Sequence, residues 1–160
     1  DPWLPASRIR ETGARAVDLP TVLGQSDVVF VTASVTAENR GFLGADDFAR
    51  MRPGAAFILL SRAEVVDFDA LMAAAAAGRL RVATDVWPIE PLPAAHPARH
   101  IPDLLKSAHR AGAMDDAFKR MGDMVLEDMA LIDRGLPPQV CRRAERETVM
   151  RLRSRPVTVN

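Results

Sequence analysis

The sequence predicts an α/β fold, a parallel sheet with helices on both of its faces, and three observations carry that reading. Residues 27–33 (D-V-V-F-V-T-A) and 55–60 (A-A-F-I-L-L) are short, continuously apolar runs, the pattern of strands buried on both sides. Helical segments with acidic starts and glycine stops lie between and after such runs. A third strand, residues 79–86, ends on an acid, Asp85, and runs straight into a loop with prolines at 88, 91 and 93. Strand alternating with helix implies parallel strands joined by right-handed crossovers.

In chain order, residues 1–5 form a turn-like start with two prolines. Residues 6–13 predict a short helix closed by Gly13. Residues 15–17 predict a short strand. Asp18 is placed to cap a helix over 19–25. After the first buried strand, residues 44–51 predict a helix that Met51-Arg52-Pro53-Gly54 breaks. After the second, Asp67 caps a helix that runs to Ala77 and stops at Gly78. Its run of alanines favours helix and permits close packing on a sheet. Beyond the proline loop, which reaches Pro102, residues 104–108 predict a last short strand ending at His109. Residues 113–134 predict the longest helix, and Met114, Phe118, Met121, Val125, Met129 and Ile132 recur at spacings of 4, 3, 4, 4 and 3. That is one apolar stripe, expected to pack into the core rather than to form a partner groove. No internal repeat is found. The organisation expected is a partial domain over residues 1–136 and a charged tail over 137–160. Within the tail, residues 142–155 hold six arginines and two glutamates, read as a solvated helix or a loose end.

Composition narrows the function. The chain has 160 residues, 48% hydrophobic and 26% charged, with 21 Lys plus Arg against 21 Asp plus Glu. This is enough for one domain with a core, and the balanced charge gives no footprint for nucleic acid or an anionic membrane. No apolar run approaches the ~20 residues that span a bilayer. A single cysteine, Cys141, excludes an internal disulfide within this chain, sits in the polar tail and carries no nucleophile signature. With no legible secretory signal, a reducing, cytoplasmic setting is expected. The chain opens on Asp1 within D-P-W-L-P, and is expected to be a fragment or processed piece.

The chemistry gathers at strand ends. In an open α/β sheet, ligands bind beyond the carboxyl ends of the strands. Arg62, Glu90 and His109 each stand at such an end or in the loop after it. Singly, each has an ordinary reading: Arg62 as an ion-pair partner, Glu90 as a solvated carboxylate, His109 as a hydrogen-bonded core histidine. Together they form a chemical set. Arginine offers a planar fork for a carboxylate, histidine exchanges a proton near neutral pH, and a carboxylate beside it fixes the tautomer and stabilises the imidazolium. The set suits redox chemistry on a 2-hydroxy or 2-oxo acid. His96 and His100, four apart, are not expected to bind metal, because Pro97 and Pro102 break any helix there and no third ligand is spaced for zinc.

Five stretches, D-V-V-F-V-T-A-S-V-T-A-E-N-R-G-F-L-G, A-R-M-R-P-G-A-A-F-I-L-L-S-R, V-V-D-F-D-A-L, D-V-W-P-I-E-P-L-P-A-A-H-P and H-R-A-G-A, occur in that order. They resemble the NAD-binding domain of the D-isomer-specific 2-hydroxyacid dehydrogenases, from Asp1 to about Leu136. The resemblance implies a doubly wound, Rossmann-like sheet that is incomplete, lacking its first βαβ unit and the Gly-rich phosphate loop. It implies NAD as cofactor, a small 2-hydroxy or 2-oxo acid as substrate, and a homodimer as a possible assembly. Arg62, Glu90 and His109 would be the catalytic residues. Asp1 would take the adenosine ribose hydroxyls, and Asp85 would lie near the nicotinamide. Thr32, Ala33, Ser61 and Gly112 would line the cofactor with Arg62 and His109. Arg62 would grip the substrate carboxylate, and His109, held by Glu90, would supply or remove the hydroxyl proton.

The chain also departs from the family's pattern. Leu59 replaces an asparagine three positions before the arginine. Ala63 and Glu64 replace a Gly-Gly after it, and Ala108 and Arg110 replace the proline and isoleucine around the histidine. Glu64 is placed to pair with Arg62 and compete with the substrate. These changes keep a second reading open, a non-catalytic dinucleotide-binding or interaction module with the same fold.

Overall fold

The computed structural model describes residues 4–141. Asp1 and the arginine-rich segment 142–155 lie outside them. Four strands, β1 (Val28–Val31), β2 (Ala56–Leu59), β3 (Arg81–Thr84) and β4 (Leu105–Lys106), form one sheet in the order β1-β2-β3-β4, and every pair is parallel. Phe57 stands level with Val29 on one side and Val82 on the other. Helices α1 (Ala6–Glu11), α2 (Leu19–Gln25), α3 (Ala45–Arg50), α4 (Phe68–Ala76) and α5 (Asp115–Asp133) complete the described residues, with single 3₁₀ turns at Ala63–Val65 and Pro97–His100.

The helices begin where side chains satisfy their free N–H groups. Asp18 accepts from Thr21 at 2.9 Å and Asp67 from Ala70 at 3.0 Å. The exposed carbonyls closing α3 are met from a distance: Arg79 donates to Ala49 and Met51. Residues 15–17, expected as a strand, are irregular. A strand needs a neighbour to exchange hydrogen bonds with, and this segment has none among the described residues; Arg15 instead reaches Gln25 at 3.1 Å.

The core lies on one face of the sheet. Val29, Val31, Phe57, Leu59, Val82 and Thr84 are buried there with Leu23, Phe48, Phe68, Leu71 and Met72 from the helices. Phe48 meets Phe57 edge-on at 5.3 Å and 84°. Alternate residues face the other way: Val28 and Phe30 are exposed, and Ile58 and Ala83 are half-buried. The expectation of cover on both faces is therefore not met among the described residues. Strands added in sequence order by crossovers of one hand place every connection on the same side. Helices reach the second face only where the strand order reverses, and the four described strands lie on one side of any such reversal. The apolar stripe of α5, expected in the core, is exposed: Met114, Phe118, Met121, Val125, Met129 and Ile132 are each about half accessible or more. The periodicity marks a face able to be buried, but among the described residues α5 packs extensively on no strand or other helix.

The end of α5 is tied down by Asp128, a residue that no sequence motif marks. Its carboxylate accepts the N–H groups of Gln139, Val140 and Cys141 at 2.7, 3.0 and 2.6 Å, folding that segment back on the helix. The Val140 N–H leads in lowering its pKa, to about 2, against a smaller opposing effect of burial. Burial and Asp128 both push the Cys141 thiol up, away from the reactive thiolate.

Candidate active site

Because all four strands are parallel, their carboxyl ends share one edge of the sheet. Thr32 and Ala33 leave β1 there, Ser61 and Arg62 leave β2, Asp85 leaves β3, and His109 follows β4. Thr32 and Ala33 are exposed, whereas Ser61 is buried. The Ser61 hydroxyl is buried beside that edge without a hydrogen-bond partner among the described residues.

The three candidate catalytic residues meet. His109 Nδ1 lies 2.8 Å from Glu90 Oε2, and His109 Nε2 lies 3.3 Å from Arg62 Nη1. They come from positions 62, 90 and 109, so only the parallel sheet brings them together. Arg62 also donates to the Ser61 carbonyl at 2.7 Å, which pulls its guanidinium back over the strand end. The expected competitor is absent: among the described residues Glu64 forms no ion pair, and Arg62 faces His109 instead. Glu64 is exposed on the 3₁₀ turn after Arg62, where its carbonyl receives the Gly41 N–H at 2.8 Å.

Glu90 is a fixed carboxylate rather than a solvated one. Its Oε1 accepts the Trp87 backbone N–H at 2.9 Å while Oε2 serves His109. Trp87 is itself anchored, donating from Nε1 to the Ser107 carbonyl at 2.8 Å and packing edge-on against Phe68. Arg99 ties down the rest of the proline loop through the carbonyls of Leu92 and Pro93. The hydrogen bond from His109 holds the Glu90 carboxyl below its ordinary value, with help from the Trp87 N–H and against burial. Glu90 therefore stays charged beside the imidazole across the neutral range.

Asp85 is almost wholly buried, at 2% exposure. Burial pushes its carboxyl up, but the N–H groups of Ala111 and Arg110 and the Ser107 side chain together outweigh it and hold the group below its usual value. His109 has φ 56°, a left-handed conformation that costs a residue with a β-carbon roughly 1–2 kcal/mol. Gly112 follows on an exposed turn with open space where a β-carbon would stand, so its glycine character is not demanded locally.

His96 precedes, and His100 ends, a single 3₁₀ turn in the stretch where the prolines were expected to break any helix. Pro97 opens the 3₁₀ turn, a position where its missing N–H costs nothing. His96 caps that turn, its Nδ1 accepting from Ala98 at 3.2 Å. Of the residues that position the candidate set, Trp87 and Ser107 carry no sequence motif: the Trp87 backbone N–H holds Glu90, and the Ser107 carbonyl anchors the Trp87 ring.

A parallel α/β sheet with arginine, histidine and a paired carboxylate on its carboxyl edge is a Rossmann-like arrangement, with the charged set standing where ligands of such sheets bind. The chain belongs to the D-isomer specific 2-hydroxyacid dehydrogenase family: residues 1–111 match that family's NAD binding domain. It is 30% identical over 138 residues to a D-3-phosphoglycerate dehydrogenase of Archaeoglobus fulgidus, covering 86% of this chain and 26% of that protein. It is 33% identical over 117 residues to a glyoxylate/hydroxypyruvate reductase B of Pectobacterium atrosepticum, covering 72% of this chain and 37% of the relative. A phosphoglycerate oxidoreductase from Rhizobium etli superposes with a TM-score of 0.84 at 61% identity, covering 92% of this chain and 45% of that one. The chain thus spans less than half the length of each of these relatives.

Proposed function

We propose that this chain is the nicotinamide-side part of an NAD-dependent enzyme that interconverts small 2-hydroxy and 2-oxo acids. The observation that supports it most is His109 set between Glu90 Oε2 at 2.8 Å and Arg62 Nη1 at 3.3 Å. A guanidinium only donates, so a bond from Arg62 needs an unprotonated Nε2, which leaves the ring proton on Nδ1, facing Glu90. That tautomer is ready to accept a proton at Nε2. In oxidation, Arg62 releases Nε2 and grips the substrate carboxylate through its fork. His109 Nε2 then takes the hydroxyl proton, and Glu90 stabilises the resulting imidazolium. In reduction the same proton returns to the oxo oxygen. NAD, when bound, supplies the acceptor and donor of hydride.

The residues fit the nicotinamide end of that cofactor: Ser61 offers an unpartnered buried hydroxyl, and Asp85 and His109 flank the same edge. Thr32, Ala33 and Gly112 would lie along it, and Asp1 would take the ribose hydroxyls, favouring NAD over its 2′-phosphorylated form. Among the described residues no helix is long and apolar enough to cross a membrane. A cytoplasmic location and a homodimer complete the proposal. The 160 residues alone are expected to lack activity, because the Gly-rich loop that holds a pyrophosphate is not among them.

The relatives act by name on phosphoglycerate, glyoxylate or hydroxypyruvate, all small acids with a carboxylate next to the reacting carbon. Steady NADH consumption by the complete protein with a panel of such 2-oxo acids tests the reading. NAD binding without turnover of any of them would overturn it in favour of a non-catalytic dinucleotide-binding module.

A further inference from the structure

We propose that Asp85 is a positioning residue, whose carboxylate grips the backbone after His109 and so holds the imidazole between Glu90 and Arg62. Resting on the proton-transfer role given to His109, this adds a task distinct from a contact with nicotinamide. Three successive backbone N–H groups converge on this one residue. His109 donates to the Asp85 carbonyl at 2.7 Å, Arg110 to Oδ1 at 2.8 Å and Ala111 to Oδ2 at 2.8 Å. The grip therefore falls on both sides of the His109 α-carbon.

That α-carbon is where restraint is needed. At φ 56° His109 occupies a region that residues with a β-carbon seldom adopt, and it is held only where the surroundings dictate it. The residues around it are exposed, so packing does not supply the restraint. Asp85 supplies it from a buried strand end, where water does not compete for the carboxylate. Both oxygens must be acceptors. An asparagine would satisfy one N–H and turn its own N–H₂ toward the other.

The test is Asp85→Asn in the complete protein, read in three ways. Nitrogen NMR of the His109 ring, assigned by its loss in His109→Gln, should change from distinct Nδ1 and Nε2 signals toward the average of a mobile imidazole. Amide exchange at Arg110 and Ala111 should speed up at least tenfold. The kcat should fall about tenfold or more, and by more than any rise in KM for NAD. Unchanged ring signals and exchange, or a loss confined to KM for NAD, would overturn the proposal and make Asp85 a cofactor contact. If the variant does not fold, the native protein decides: the Arg110 and Ala111 amides, though in an exposed turn, should exchange slowly, and fast exchange there sinks the idea. If the complete protein turns over no 2-oxo acid, the functional reading fails, and the ring and amide measurements still decide this one.

Discussion

His109 Nδ1 and Glu90 Oε2 lie 2.8 Å apart although 19 residues separate them, and the second oxygen of Glu90 is held by the Trp87 N–H. The pair is a directed contact, with the carboxylate fixed before the imidazole needs it. Glu90→Gln keeps the Trp87 bond and removes the charge. In the complete protein, reduction at neutral pH should slow by about tenfold or more, within the range that proton-transfer groups contribute. The pH limb of the reductive rate should move to lower pH, because the imidazolium loses its counter-charge. Oxidation at high pH should suffer less. An unmoved pH–rate profile would separate Glu90 from His109 functionally.

Arg62→Lys should act differently. Lysine retains the charge but loses the planar fork that can hold a carboxylate with two bonds. KM for the 2-oxo acid should rise and kcat should fall together, roughly tenfold each if one charge-assisted bond is lost. Initial-rate kinetics at fixed pH checks this, and a change in KM alone would take Arg62 away from the reacting group.

Acid should release the segment after α5. In the folded protein the N–H groups of the following segment hold the Asp128 carboxyl down at about 2, below the ordinary carboxylate value. A lowered folded pKa means stabilisation that is complete above the unfolded value and lost as pH falls through the folded one. Amide protection at Gln139, Val140 and Cys141 should therefore persist at neutral pH and disappear between about pH 4 and 2. Asp128→Asn should abolish most of it at neutral pH. Protection that survives in that variant would show the segment to be held by other contacts.

In the core, Phe57 is fully buried and stacks edge-on with Phe48. Phe57→Ala leaves a cavity on the covered face and should cost about 3–5 kcal/mol. Denaturant unfolding of the complete protein measures it. A cost under about 1 kcal/mol would mean that the helices close over the gap.

Local chemistry was legible in the sequence wherever one short stretch settles it. The runs V-V-F-V and A-F-I-L became β1 and β2, and the capping acids Asp18 and Asp67 start the helices expected of them. The alternation of these elements implied parallel strands, and parallel strands implied that Arg62, Glu90 and His109 share an edge. What the sequence determined was thus most of the elements, their class and the members of the candidate set. Tertiary structure alone decided distances and cover. An apolar run shows that a strand is able to be buried on two faces, but which face is covered depends on the side each crossover takes, so Phe30 and the α5 stripe stand exposed. Glu64 was near Arg62 along the chain, yet the fold turned the guanidinium to His109, 47 residues away. The clamp of Asp85 on Arg110 and Ala111 carries no side-chain signature, because backbone N–H groups look alike in every sequence and acquire a direction only when the chain has turned.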